Sequence, residues 1–122
     1  MNSKRLTQVI EDLKNDLGEG LVAADIWQKD VGQAIVGHNS QPKATALFNE
    51  VTRYLVKTLA GSGFPGLGNY YIINLEKNLL VVVLNSGDLQ MGMLVDTTKA
   101  TIGILITIAV PNALKGLEEA SK

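Results

Sequence analysis

Apolar residues recur along this chain with two different periods. From Ser3 to Leu17, Leu6, Val9, Ile10, Leu13 and Leu17 share one helical face, while Lys4, Glu11, Asp12, Lys14 and Asn15 lie on the other. Ser3 or Asn2 can cap this first helix, and Gly18 stands where the chain must leave it. Between Asn69 and Val95 the pattern shortens. Asn69–Leu75, Leu79–Leu84 and Leu89–Val95 are apolar segments parted by Glu76-Lys77-Asn78 and Asn85-Ser86-Gly87-Asp88, the spacing of an antiparallel three-stranded meander. The middle segment, Leu79 to Leu84, has no polar position at all. A sheet with one wet face alternates, so this sheet is expected to be covered on both faces.

The remaining segments supply the covers. Leu21–Trp27 and Gln33–Gly37 read as a hairpin whose loop uses Asp30 and Gly32 at positive-φ positions. A second helix begins after Ser40, tolerates Pro42 in its first turn and ends at Gly61. Its apolar stripe is Leu47, Phe48, Val51, Leu55 and Leu59, expected to cover the sheet, with Ala44 and Tyr54 at the margins. Asn49, Glu50, Arg53 and Lys57 lie away from the stripe. The loop that follows, Gly61 to Gly68, holds four glycines and is the segment expected to be most mobile. From Ile102 to Val110, isoleucine at every second position up to Ile108 predicts a sixth strand by period and β-branching. A helix from Lys99 would instead gather Ala100, Gly103 and Thr107 on one side and take a kink at Pro111. Asn112–Ala120 is helical in either case.

With 122 residues, 46% hydrophobic and 19% charged, the chain fits a single folded domain spanning 1–122. A net charge of −1, with Arg5 and Arg53 the only arginines, gives no field for a nucleic-acid backbone. The absence of cysteine excludes disulfides and thiolate chemistry. The polar start and the lack of an apolar run long enough to cross a bilayer predict a cytoplasmic protein with no membrane insertion.

Candidate chemistry is sparse. Gly61-x-Gly63-x-x-Gly66 matches the dinucleotide fingerprint in letters, but it leaves a helix and enters a strand, the reverse of the order that puts pyrophosphate on a helix N-terminus. Pro65 also removes an N–H from that loop. His38 has no partner at metal-ligand or triad spacing and reads as a polar residue where a strand meets a loop. Asp25, within an apolar strand, can point to an exposed face or cap a neighbouring helix; catalysis would need a partner acid that the sequence does not provide. No catalytic, cofactor-binding or metal site is therefore predicted. Trp27 and Arg53 are the candidates for contact with a partner, Trp27 as the only tryptophan and Arg53 as a common interface anchor.

The order helix, two strands, helix, three strands, helix resembles the roadblock / dynein light chain family. Leu21–Ile26 followed by Asp30-Val31-Gly32-Gln33-Ala34-Ile35 is similar to that family's first hairpin, and Asn69–Leu75, Leu79–Leu84 and Gln90–Asp96 are similar to its meander. Lys99–Leu117 would match its last helix, so the resemblance implies helix, not strand, across Ile102–Val110. It implies an α+β, profilin-like sandwich: a five-stranded, mainly antiparallel sheet with helices on both faces, in the manner of a prokaryotic stand-alone member. It also implies a homodimer without cofactors or enzymatic chemistry, paired through the third strand and the second helix. Carried onto this chain, those positions are Phe48, Val51, Tyr54 and Leu55 of the helix and Tyr70, Ile72 and Asn74 of the strand. Members in bacteria and archaea accompany Ras-like small GTPases, some accelerating GTP hydrolysis, and others serve as scaffolds. The favoured reading is a non-catalytic homodimer that binds such a GTPase and modulates its activity or location. The alternative is a small-molecule sensor of profilin-like fold, with the Gly61–Gly68 loop as a flap over a pocket.

Overall fold

The computed structural model describes residues 2–29 and 31–122. Helix α1 (Ser3–Leu17) leads through a short 3-10 turn into strand β1 (Leu21–Gln28), followed by β2 (Ala34–His38), helix α2 (Pro42–Ala60), β3 (Tyr70–Leu75), β4 (Leu79–Ser86) and β5 (Leu89–Asp96). A final helix fills 102–120. The five strands form one sheet in the order β2-β1-β5-β4-β3, with every neighbouring pair antiparallel. The meander is as the sequence predicts, and it leaves β3 at one edge and β2 at the other. Gly32 takes the positive φ expected in the hairpin; Asp30, assigned the same role, lies outside the described residues.

One face of the sheet carries the main core. All five apolar residues of the α1 stripe are buried, packed with Ala24 and Ile26 of β1, Leu80, Val82 and Leu84 of β4, and Met91, Met93 and Val95 of β5. Leu105, Ala109, Val110, Ala113 and Leu117 of the final helix complete this layer. Burying each such leucine or valine contributes about 1.5–3 kcal/mol, and this is the bulk of what holds the fold. Asn2 caps α1, its Oδ1 accepting from the Arg5 N–H at 3.1 Å. The final helix approaches α1 closely at Gly116, where a Cβ would stand 2.6 Å from Val9 Cγ2. Arg5 Nη2 donates to Glu119 Oε1 at 2.9 Å across the same seam and holds the Glu119 carboxyl below its ordinary range.

The stretch Ile102–Val110 is helical, as the resemblance implies and against the strand that its alternation predicts. Thr101 caps it, Oγ1 accepting from Ile104 N at 3.1 Å. Leu105–Ala109 form a π turn immediately before Pro111. A proline inside a helix lacks the N–H for residue i−4 and its ring crowds that residue's carbonyl, here Thr107, which lies within the wider turn. The alternation misleads because Leu105 and Ala109 of this turn are the buried pair and Ile106 packs partly against the core, while Ile102, Ile104 and Ile108 remain exposed.

Candidate functional site

The second face of the sheet is where the structure departs furthest from the periodicity. α2 lies on it, but the residues α2 buries are Thr45, Asn49 and Thr52, not its apolar stripe. Leu47 is 56% exposed, Phe48, Val51, Leu55 and Leu59 are half-buried, and Tyr54 and Val56 are exposed. The expectation that the stripe covers the chain's own sheet is thus corrected. The helix is turned so that hydroxyl and amide groups face the strands and the apolar residues face outward or sideways.

Hydrogen bonds account for that turn. Asp25 of β1 is 5% exposed and lies beneath the N-terminus of α2. Its Oδ2 accepts from the Gln41 backbone N–H at 2.9 Å and from Thr45 Oγ1 at 3.5 Å, while Ser40 Oγ donates to Oδ1. Of the roles open to Asp25 in the sequence, the helix cap is the one realised, by a residue remote in sequence. Gly37, across from it on β2, leaves the room: a Cβ there would overlap Asp25 Oδ1. Further along α2, Thr52 Oγ1 donates to the Phe48 carbonyl at 2.8 Å, so the 2.8 Å contact with Tyr71 is one in which the tyrosine donates. Burial pushes the Tyr71 hydroxyl above the usual phenol range. These two anchors, Asp25 at the start and Tyr71 past the middle, fix the rotation of α2 about its axis. Trp27, between them on β1, is 1% exposed; its Nε1 donates to Gln90 Oε1 at 2.8 Å and its ring lies against Gly92. It is a core residue, and the isolated chain does not present it to a partner.

Between the apolar side of α2 and the strands beneath it runs an open groove of about 480 Å³. Ala44, Leu47 and Phe48 form its helix wall, and Leu75, Val81 and Leu94 are among the sheet residues that floor it. Lys43 stands at its rim and Asp25 at its inner end. A second pocket, of about 390 Å³, lies toward the other end of α2, between Lys29, Thr52, Lys57, Leu67, Asn85 and Gln90 among others. Asn85 Oδ1 is buried there with no hydrogen-bond partner among the described residues.

The interface residues expected from the sequence fall into two groups. Phe48, Val51, Tyr54 and Leu55 share the α2 side of the sheet. Tyr70, Ile72 and Asn74 of β3 pair with Leu84, Val82 and Leu80, whose side chains enter the opposite core, so they belong to the other face. The β3 residues that accompany α2 are Tyr71, Ile73 and Leu75, none of them among the expected interface positions. Strand alternation alone could have paired them with each other, but only the Tyr71–Thr52 bond says which face they are on. What joins both groups is the free backbone edge of β3. Arg53 is exposed, its Nη1 2.6 Å from Glu50 Oε1 on the same helix. His38 ends β2, half-buried, with Nε2 3.2 Å from Asn39 Nδ2. Among the described residues no three His, Cys, Asp or Glu side chains are grouped to hold a metal, and no helix is long and apolar enough to cross a membrane.

Helices on both faces of an antiparallel β2-β1-β5-β4-β3 sheet make this a roadblock-type fold of the profilin-like α+β class. Among solved structures, MglB of Myxococcus xanthus superimposes with a TM-score of 0.81 at 12% identity, over 96% of this chain and 87% of that one. A Roadblock/LC7 domain from Streptomyces avermitilis gives 0.68 at 12% identity, covering 92% and 93%. Profilin IA of Acanthamoeba castellanii gives 0.59 at 12% identity, covering 93% and 98%. No family model and no curated protein matches the chain at the level of sequence.

Proposed function

We propose that this chain is a non-catalytic homodimeric regulator or scaffold whose partner is a Ras-like small GTPase. The observation that carries the dimer is the rotation of α2. A helix with a polar buried side, Leu47 and Tyr54 exposed and Val51 and Leu55 half-buried has an apolar face that its own sheet covers only in part. Exposed apolar faces of this kind mark protein interfaces. That face stands on the same side of the sheet as Ile73 and Leu75 of β3, whose backbone edge is unpaired. Pairing β3 with a symmetry mate would satisfy that edge and bring the two α2 faces together in one step. The GTPase rests on the resemblance to roadblock proteins, together with the fold shared with MglB. Light scattering at micromolar concentration tests the assembly: a dimer is expected, and a monomer refutes it. The GTPase reading expects a gene for a Ras-like GTPase beside this one, and is tested by mixing the two proteins. A complex that depends on the bound nucleotide, or a changed hydrolysis rate, is expected; neither appearing refutes that part alone.

A second reading, a small-molecule sensor, draws on the second pocket. Leu67 and Gly68 of the glycine-rich loop wall it, as a flap would, and the unpartnered Asn85 Oδ1 offers a ligand an acceptor. A metabolite screen read by thermal shift would reveal it, since a ligand bound only by the folded state raises Tm.

A further inference from the structure

We infer that Phe64 is a knob that seats in the apolar groove of a second copy of this chain. The inference rests on the homodimer proposed above and adds to it a specific reciprocal contact. Phe64 is 73% exposed, more than any other large apolar side chain among the described residues. The chain holds six aromatics in all, so an aromatic left in water on a loop of glycines needs a reason. Its position is held. Ser62 N and Oγ both donate to the Leu59 carbonyl, at 3.1 and 2.7 Å, fastening the loop to the end of α2. Ser62 Oγ then accepts from the Phe64 N–H at 3.0 Å, and Pro65 restricts Phe64 to extended backbone. A side chain presented this way loses little freedom on docking.

Two-fold symmetry supplies the receptor. If β3 pairs with its mate across a two-fold axis, the two strands run antiparallel, and the Tyr70 end of one lies beside the Leu75 end of the other. The loop carrying Phe64 leads into Tyr70. Leu75, at the opposite end, floors the groove whose helix wall is Ala44, Leu47 and Phe48, near the start of α2. Within one chain, knob and groove are therefore at opposite ends of α2 and cannot meet. Across the two-fold each knob faces the other copy's groove, and both contacts form at once. The groove is apolar on helix and sheet sides alike and, at about 480 Å³, has room for a phenyl ring with part of its loop. Lys43 at the rim leaves the apolar floor undisturbed.

The chain has no cysteine, which makes the test direct. Phe64→Cys and Lys43→Cys proteins are prepared separately, mixed at a concentration well above the dissociation constant, and treated with a short bifunctional maleimide, with light scattering on the mixture and on the unsubstituted protein. A covalent dimer in the mixture and none in either protein alone is the expected result, because identical positions lie at opposite ends of a two-fold interface. A dimer by scattering with no cross-link in the mixture overturns the knob and leaves the homodimer standing. A monomer by scattering of the unsubstituted protein overturns both. In parallel, Phe64→Ala is expected to weaken dimerisation on the order of a hundredfold, since two phenyl rings per dimer lose their burial, whereas Phe64→Leu keeps most of it. An unchanged dissociation constant for Phe64→Ala also overturns the inference.

Discussion

Removing the Asp25 carboxylate is expected to cost about 2 kcal/mol, and the structure says why. In Asp25→Ala the N-terminus of α2 loses a cap, worth roughly 0.5–2 kcal/mol. Beyond the capping bond from the Gln41 N–H, Ser40 and Thr45 lose a charged acceptor, worth ~1.5–3 kcal/mol each when no water replaces it. Ser40 and Gln41 are exposed, so water can take over there; Thr45 is buried but has a second acceptor in the Gln41 carbonyl at 3.4 Å. Both allowances pull the total toward the lower ends of these ranges. With ~2.1 cal/mol/K of unfolding entropy per residue, over 122 residues, 2 kcal/mol lowers Tm by about 8 °C. Asp25→Asn should cost less than half as much, because its Oδ1 can still accept from Gln41 while its amide donates to Ser40. Gly37→Ala should also destabilise, because a Cβ there overlaps both the Asp25 carboxylate and the Ala24 carbonyl; adding it to Asp25→Ala should cost less than the two separately, since only the backbone clash then remains. Urea unfolding at a fixed protein concentration, which removes the concentration dependence a dimer brings, measures all four. Asp25→Ala within 0.5 kcal/mol of the parent, or Asn as damaging as Ala, would refute the capping account.

Three further outcomes follow from other parts of the molecule. Gly116→Val should destabilise by about 1–3 kcal/mol through overpacking against Val9, and Val9→Ala in the same chain should recover part of it in a thermal melt. Tyr71 is held protonated by burial, so its contribution is complete below the ordinary phenol value of 10.0 and is lost as pH rises through the higher folded value. Stability from urea titrations at pH 9 and 11 should therefore fall between the two, and fall less in Tyr71→Phe. Leu55→Lys should convert the proposed dimer to monomer by light scattering while leaving the far-UV spectrum in place, because the half-buried side chain lies beside, not among, the buried polar residues of α2; loss of the helical signal instead would place Leu55 in the chain's own core.

Local patterns determined a large part of this protein. The α1 stripe, the three meander strands and the doubly covered sheet are legible because each depends on residues close in sequence: a period of 3.6 or 2, a turn of three or four polar residues, a cap. The final helix was not legible this way. Isoleucine at every second position satisfies a strand, and only packing onto α1 through Ala109, Ala113 and Gly116, together with the π turn ahead of Pro111, makes it helical. α2 was legible as a helix and as amphipathic, but not in its orientation. Periodicity reports that one face is apolar; it does not report what meets that face. That was decided by Asp25 and Tyr71, side chains 16 residues before Gln41 and 19 after Thr52, whose hydrogen bonds turn Thr45 and Thr52 inward. The same rotation buries Trp27 and opens the groove beside Phe48, features that no local pattern could announce, because they exist only once strands distant in sequence stand under the helix.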